Sequence, residues 1–278
     1  MIIAVDAGKH TTKSMTNERT FTMRTLMTES ASELNSDSLH VEYGGNQYTL
    51  GDGESNFDVT KTKLIHKLCT YVSISKLVQV REVELVTGCP ITQFVNNEAR
   101  QAHADYLRGP VQITVNGERY SFVVNSVMVL PETIGAVMAN AAEYANQAVG
   151  VIDVGGLNTN GAIYERLKPI RSSVFTINEG GLMLDAKIKR ALNTAFMTNF
   201  QDYEIPYIKD GKYKSVIDGM VNEQLERIMA ECKKYNWNVS ELPIIFTGGG
   251  SLRFQVRRSK DPVWDNVKGF LKFKEMYK

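Results

Sequence analysis

Hydrophobic and polar positions follow two periods along this chain, and stretches of one period alternate with stretches of the other. Period-two alternation over residues 39–50 brackets Gly44-Gly45-Asn46 and predicts a β-hairpin. A second hairpin is predicted over residues 111–124, where Asn116-Gly117 favours a type I′ turn. Further strands are predicted at residues 1–5, 19–28 and 83–89, and helices at residues 61–80, 97–107 and 133–149.

The second half of the chain repeats this order of strands followed by helices. Strands are predicted at residues 150–154, 161–166, 171–177 and 243–247, and helices at residues 182–199 and 215–235. At 278 residues the chain exceeds the roughly 100–200 residues of one domain. The pattern predicts a duplicated α/β architecture: a first domain of residues 1–149 to which residues 265–278 return, a second of residues 150–264, and a cleft between them.

Composition and charge exclude several classes of protein. With 43% hydrophobic and 23% charged residues the chain is expected to fold. Its 32 basic and 31 acidic residues leave a net charge of +1, so direct DNA binding is not expected. Cys69, Cys89 and Cys232 lack metal-ligand spacing and fit a reducing cytoplasm. No apolar stretch approaches the roughly 18 residues of a spanning helix, so no membrane role is expected.

One short phrase occurs in both halves of the chain. Asp6-Ala7-Gly8 ends the first apolar strand, and Asp153-Val154-Gly155-Gly156 ends the corresponding strand of the second half. The backbone N–H groups of such turns bind phosphate oxygens, and an adjacent carboxylate can hold hydrated Mg²⁺. Either copy alone is more typical of a structural β-turn, whereas two copies in a duplicated chain favour phosphate binding. The predicted phosphate-binding residues are Gly8, Lys9, Thr11, Thr12, Lys13, Gly155, Gly156, Leu157 and Asn158, and Asp6 and Asp153 are the predicted Mg²⁺ residues, acting through water.

Two glycine-rich stretches and one acidic residue complete the candidate site. Gly248-Gly249-Gly250-Ser251 follows a buried-type strand, and the missing side chains favour close approach of a flat ring or a sugar. Gly180-Gly181 precedes a predicted helix and is assigned to the same nucleotide site. Glu132 stands at the first turn of an alanine-rich helix, where it can cap the helix or position a water for attack on phosphorus. Spacing alone favours the capping role. No Walker loop occurs in the sequence.

Together these residues resemble the superfamily of actin, Hsp70 and the sugar kinases. Its ATP site has two phosphate motifs, matched by Asp6-Ala7-Gly8 and Asp153-Val154-Gly155-Gly156, and an adenosine motif, matched by Thr247-Gly248-Gly249-Gly250-Ser251. Residues 131–136 and 266–271 are similar to the two connecting helices of bacterial actins. The resemblance implies an actin-like (ribonuclease H-like) duplicated fold and ATP, or possibly GTP, with Mg²⁺ as cofactor. It also implies that Glu132 aligns the lytic water, so that Glu132, Asp153 and Asp6 are the catalytic residues.

Within that superfamily the chain resembles the bacterial actin-like proteins of ParM and AlfA type, which segregate plasmids. About 15 residues, 200–214, separate two predicted helices where relatives insert subdomain IIB, and a missing subdomain IIB is similar to the AlfA type. The family implies filaments of the chain itself, slow nucleotide hydrolysis, and a DNA-binding adaptor at centromere-like plasmid DNA. Asn158 and Asn160 replace the usual hydroxyls of the second phosphate motif, which affects the expected γ-phosphate contact.

A small-molecule kinase of the same fold, similar to type III pantothenate kinases, is the alternative interpretation. Such a kinase needs an acidic base for a substrate hydroxyl, and Glu132 fits water activation better. His10 and His66 have no partner visible in the sequence and are expected to be ordinary surface or turn residues.

Overall fold

The computed structural model describes residues 1–29, 37–53 and 61–277. The strands are β1 (Ile2–Ala7), β2 (Thr11–Met15), β3 (Thr20–Arg24), β4 (Met27–Thr28), β5 (Leu39–Tyr43), β6 (Asn46–Leu50), β7 (Glu82–Cys89), β8 (Gly109–Val115), β9 (Glu118–Pro131), β10 (Ala148–Val154), β11 (Thr159–Glu165), β12 (Lys168–Pro169), β13 (Phe175–Ile177) and β14 (Ile244–Thr247). The α-helices are α1 (Leu64–Leu77), α2 (Ile91–Phe94), α3 (Asn97–Leu107), α4 (Ile134–Ala139), α5 (Ala141–Tyr144), α6 (Gly181–Phe196), α7 (Lys214–Lys234) and α8 (Asp265–Met276).

The chain divides into two compact units. The first unit contains Met1–Ala141 and Trp264–Lys278, and the second contains Ala142–Val263. The sequence-based domain boundary at residues 149/150 therefore falls a few residues after the boundary between the compact units.

The first unit is built on a mixed sheet with strand order β3, β2, β1, β7, β9, β8, β5, β6, β4. β1 pairs in parallel with β7, and β7 pairs in parallel with β9, so the ends of β1 and β9 reach the same edge of the sheet. α1 is buried over most of its length, and Leu68, Val72 and Ile74 pack in the core of this unit. The parallel centre explains why β1 is a nearly continuous apolar run up to Asp6 and why β7 is buried from Leu85 to Cys89.

The second unit has a smaller sheet with strand order β12, β11, β10, β14, and β13 pairs with β11. β10 runs antiparallel to β11 and parallel to β14, and this register places Asp153 beside Thr247. α6 and α7 contribute Leu184, Ile188 and Ile228 to the core of this unit. The end of β10 and the end of β14 therefore lie side by side, which brings the second Asp turn to the glycine triplet.

Three predicted elements differ from the structure. The single strand expected over residues 19–28 is wrong, because β3 pairs with β2 whereas β4 pairs with β6. The single helix expected over residues 133–149 is wrong, because the chain forms two short helices, α4 and α5, and then enters β10 at Ala148. Asn140 ends α4 with a non-helical backbone (φ −124°, ψ 39°). The strand expected over residues 171–177 is also too long, since Arg171–Ser173 form a 3₁₀ turn and only Phe175–Ile177 pair with β11.

The segment between α6 and α7 is short and ordered into turns. Ile205–Tyr207 and Gly211–Tyr213 form 3₁₀ turns, and Tyr213 packs edge-on against Phe196 and Phe200. Whether this segment stands in place of subdomain IIB stays a prediction. None of the helices in the described ranges is both long and apolar enough to cross a membrane.

Candidate functional site

The first Asp turn connects β1 to β2 in the first unit. Asp6 lies next to the last residue of buried β1 and is 7% exposed. A side chain on Gly8 would place its Cβ 2.6 Å from the carbonyl oxygen of Thr11, so the turn requires glycine there. Lys9 is buried, and the Thr11 hydroxyl lies 2.9 Å from Nδ1 of His10.

The antiparallel register separates the polar side chains that follow this turn. Asp6 pairs with Lys13 and Ala7 pairs with Thr12, so Lys13 shares a face of the sheet with Asp6 and Thr12 lies on the opposite face. The Thr12 hydroxyl is fully buried and lies 2.9 Å from the hydroxyl of Thr25. The Thr12 hydroxyl could therefore donate to a phosphate oxygen only while it accepts from Thr25.

A buried lysine that the sequence did not single out joins two of the predicted catalytic carboxylates. The ammonium of Lys61 lies 2.8 Å from Oε1 of Glu132 and 3.9 Å from Oδ1 of Asp6, and it donates a 2.5 Å hydrogen bond to the carbonyl of Ala7. Burial alone would lower the pKa of Lys61, but the charges of Glu132 and Asp6 outweigh this effect and the pKa is raised. Lys61 is therefore a permanent cation between the two carboxylates.

Glu132 follows β9 and is 7% exposed. Its backbone N–H donates to the carbonyl of Cys89 at 3.0 Å, and its side chain bonds Lys61. α4 begins only at Ile134, with Thr133 as its N-cap and no side-chain capping bond. The geometry therefore favours the contact of Glu132 with Lys61 over the capping role that spacing alone suggested.

α8 closes the other side of the Asp6 turn within the same unit. Nδ2 of Asn266 donates to Oδ2 of Asp6 at 3.2 Å. The backbone of α8 lies directly against that of α4, because an ideal Cβ on Gly135 would come within 2.4 Å of the carbonyl of Asp265. α8 thus positions a donor on Asp6 while it packs on the helix that follows Glu132.

Two buried histidines lie near the Lys61 cation. His66 on α1 is 2% exposed and His103 on α3 is 4% exposed. Burial, reinforced by the charge of Lys61, lowers the pKa of His66 well below its usual value and that of His103 to about 4. The expectation that His66 is a surface or turn residue is wrong, because the side of α1 that carries it faces the core.

The second Asp turn, in the second unit, connects β10 to β11. The N–H of Gly155 donates to the carbonyl of Asn158 at 2.9 Å, which closes the turn. Nδ2 of Asn158 is buried without a hydrogen-bond acceptor, whereas Oδ1 of Asn160 accepts from the Thr176 hydroxyl at 2.8 Å. Of the two asparagines, Asn158 keeps a donor for a ligand oxygen.

The glycines predicted from sequence converge on this second turn. The N–H groups of Gly181 and Leu182, at the start of α6, donate to the carbonyls of Gly155 and Gly156 at 2.9 and 2.8 Å. A Cβ on Gly180 would come within 2.3 Å of the carbonyl of Gly156. The turn and the beginning of α6 are therefore in backbone contact, which only glycine allows.

The glycine triplet also packs on the second turn. Gly248 has φ +80°, and a Cβ there would lie 2.2 Å from Oδ1 of Asp153. A Cβ on Gly250 would lie 2.6 Å from the Val154 side chain, whereas nothing lies within 4 Å of one on Gly249. The Ser251 hydroxyl is buried and donates to the carbonyl of Gly248 at 2.7 Å, so it supports the loop. The open position at Gly249 is where a ligand could approach the backbone.

Ion pairs that were not predicted from the sequence lie next to Gly180 and the glycine triplet. Arg253, at the end of the triplet's 3₁₀ turn, pairs with Asp185 on α6. Glu179, directly before Gly180, pairs with Lys187 at 2.7 Å and with Arg227 on α7 at 3.1 Å. The Arg253–Asp185 and Arg227–Glu179 pairs join residues more than 40 positions apart and carry no local sequence signal, so only the folded chain identifies them.

The carboxylates fit a hydrated Mg²⁺ better than a directly caged metal ion. Within the described ranges, no group of three or more His, Cys, Asp or Glu residues forms a metal cage. Oδ1 of Asp6 is buried without a hydrogen-bond donor, so it retains the capacity to accept from a metal-bound water. Mg²⁺ typically keeps several waters and binds through one or two carboxylates and substrate phosphates. The residues present therefore suit the cation that the sequence predicts.

Comparisons with known proteins agree with this architecture. Residues 4–135 match the family described as actin like proteins N terminal domain. The structure of an archaeal actin homologue, Ta0583, superposes with a TM-score of 0.82 at 13% identity and covers 100% of both chains. An Alp12 filament structure gives 0.71 at 23% identity, covering 100% of this chain and 99% of that one. An AlfA filament bound to AMPPNP gives 0.66 at 16% identity, covering 100% and 99%. No curated protein sequence matches the chain.

Proposed function

We propose that this chain, which has an actin-like fold, binds ATP or GTP with Mg²⁺, polymerises into filaments and slowly hydrolyses the nucleotide to segregate low-copy plasmid DNA. The phosphates bind at the Asp6 and Asp153 turns, and the glycine triplet takes the nucleoside. Asp6 and Asp153 hold Mg²⁺ through water, and Glu132 aligns the water that attacks the γ-phosphate.

The observation that carries this proposal is the pair of Asp turns, each ending a buried parallel-paired strand of one unit of an actin-like fold. In the second unit the turn contacts both Gly180-Gly181 and the glycine triplet, which is the arrangement expected of a phosphate and nucleoside site. Alp12 and AlfA, which share this fold over the full length, are known as filaments, and the AlfA filament is bound to AMPPNP.

The partners in this proposal are further copies of the chain and a DNA-binding adaptor in the bacterial cytoplasm. A net charge of +1 gives the chain no general attraction for DNA phosphates. The link to the plasmid is therefore assigned to an adaptor bound at centromere-like DNA. A missing subdomain IIB, as in the AlfA type, and Asn158 in the second turn would both alter how the nucleotide is held.

The test combines filament assembly with nucleotide turnover. Purified protein is mixed with ATP, GTP or no nucleotide, each with Mg²⁺ or EDTA, and followed by light scattering, pelleting and negative-stain microscopy. We expect filaments only with nucleotide and Mg²⁺, and slow phosphate release. A protein that stays monomeric in every condition would contradict the filament proposal.

Asp153→Ala tests the assignment of the second turn. Losing the carboxylate beside Gly248 should weaken retention of the Mg²⁺-nucleotide about ten-fold or more, since a charged hydrogen-bond partner is worth roughly 1.5–3 kcal/mol. Asp218→Ala, an exposed change on α7 of the same unit, is the matched control and should bind like wild type. Unchanged binding in Asp153→Ala would remove this residue from the site. Phosphate transfer to an added small alcohol, with no filaments, would support the kinase alternative instead.

A further inference from the structure

We propose that Lys61 is a positioning residue for nucleotide hydrolysis, which holds the Glu132 carboxylate in a fixed place relative to the end of β1. The proposal rests on the function proposed above, since it assigns to Lys61 a part in the same reaction. Lys61 precedes α1, and neither the Asp turns nor the glycine triplet includes it.

The contacts of Lys61 join segments that are distant in sequence within the first unit. Its ammonium donates to the backbone of β1 at Ala7 (2.5 Å) and to Oε1 of Glu132 (2.8 Å), and it faces Oδ1 of Asp6 (3.9 Å). The Ala7 and Glu132 oxygens lie at hydrogen-bond distance from the ammonium, whereas Oδ1 of Asp6 lies at ion-pair distance. The side chain is 2% exposed, so no alternative position in solvent competes with this one.

The Glu132 carboxylate is held from two directions as a result. Its backbone is fixed by the 3.0 Å bond to the Cys89 carbonyl on β7, and its Cγ lies 3.3 Å from the ideal Cβ position of Gly88. The stem of the side chain therefore lies close to the β7 backbone, and Lys61 binds its charged end. A group that must orient a water needs such support, because a displacement of about 1 Å can cost about 100-fold in rate.

Burying an ammonium and a carboxylate is costly unless both are paired, and an apolar pair of similar size often folds as well or better. The presence of a charged pair at this position, next to the predicted phosphate turn, therefore favours a role in the reaction over a role in stability alone. Lys61 contacts protein oxygens, so it acts through Glu132 and is not itself a catalytic residue.

The experiment measures nucleotide affinity and the hydrolysis rate at saturating nucleotide separately for full-length variants. In Lys61→Met we expect hydrolysis to fall about 100-fold, as for a misplaced group, while the affinity for Mg-ADP changes less than about three-fold. Lys61→Arg keeps the charge and should recover part of the rate. Lys63→Met, two residues away and exposed, is the control and should behave like wild type.

A double-mutant cycle with Glu132→Gln separates this role from a general structural one. If Lys61 acts through Glu132, adding Lys61→Met to Glu132→Gln should lower the rate by less than about two-fold, since the two residues act as a unit. Rates that multiply, or a Lys61→Met rate within about two-fold of wild type, would overturn the proposal. A change in affinity without a change in rate would overturn it too, because Lys61 would then serve the phosphate turn.

Folding of each variant is checked by its thermal transition. Lys61→Gln keeps a donor for the Ala7 carbonyl and replaces Lys61→Met in the cycle if the methionine variant does not fold. Wild-type protein that binds no nucleotide would contradict the proposed function together with this inference. Wild-type protein that binds and hydrolyses nucleotide, with variants that hydrolyse equally well, would contradict this inference alone.

Discussion

Gly269→Ala should destabilise the first unit, although alanine is the better helix former. Gly269 lies on α8 against Gly135 of α4, and an ideal Cβ at position 269 would be 2.4 Å from the Cα of Gly135 and 2.8 Å from its carbonyl oxygen. Carbon atoms pack at about 3.5–4.0 Å, so the two helices would have to separate by about 1 Å. Both contacting atoms belong to the backbone, and no side-chain rotation can relieve the contact.

The change in the free energy of unfolding caused by Gly269→Ala is the sum of two opposing contributions. Alanine gains about 1 kcal/mol over glycine in a helix interior, whereas overpacking a well-packed interface costs about 1–3 kcal/mol and lies at the upper end when the backbone must move. We therefore expect a net loss of about 2 kcal/mol in the free energy of unfolding. The moved helix carries Phe270 and Val267, both fully buried, so its displacement also loosens their packing.

Gly219→Ala is the matched control. Gly219 is an exposed residue of α7, and nothing lies within 4 Å of an ideal Cβ there. The same substitution should therefore stabilise the protein by about 0.5–1 kcal/mol.

The measurement is urea unfolding of both variants and wild type, monitored by far-UV circular dichroism. If the m-values are equal, a difference in the urea midpoint reports a difference in stability. A Gly269→Ala midpoint at or above that of wild type would refute the close backbone contact on which the reasoning depends.

Two further predictions concern buried titratable groups. His103 has a pKa of about 4 in the folded state against 6.5 for an unperturbed histidine, so the unfolded chain binds a proton that the folded chain does not between these values. The free energy of unfolding should therefore fall by about 3 kcal/mol as the pH is lowered from 6.5 to 4. His103→Gln should reduce the slope of a plot of the urea midpoint against pH. A slope equal to that of wild type would contradict the lowered pKa of His103. Burial raises the pKa of Cys69, Cys89 and Cys232 to about 12, so all three thiols should resist iodoacetamide at pH 8 in the native protein and react after unfolding, as counted by mass spectrometry. Rapid native labelling of any of the three would show that its burial is incomplete.

The elements that sequence patterns predicted well are those whose cause is local. The 39–50 and 111–124 hairpins form because glycine at positions 44, 45 and 117 adopts the positive φ that their turns require. α6 and α7 follow their apolar periodicity to within a few residues. The prediction of one helix over residues 133–149 is wrong because apolar periodicity indicates which face of a helix is buried but does not indicate which element packs on that face. α4 packs on α8 at Gly135 and ends at Ala139, and after the short α5 the chain enters β10 at Ala148.

The sequence by itself identified the two Asp turns and the glycine triplet, because turn geometry depends on residue types within a few positions, and the resemblance that these motifs carry predicted the actin-like fold. Only the tertiary structure decided that Lys61 pairs with Glu132, that Thr12 faces away from Asp6, and that His66 is buried. Those features depend on desolvation and charge pairing between residues as far apart as positions 61 and 132. Such interactions come into existence only when the sheet brings the ends of β1 and β9 to the same edge, so no local pattern can encode them.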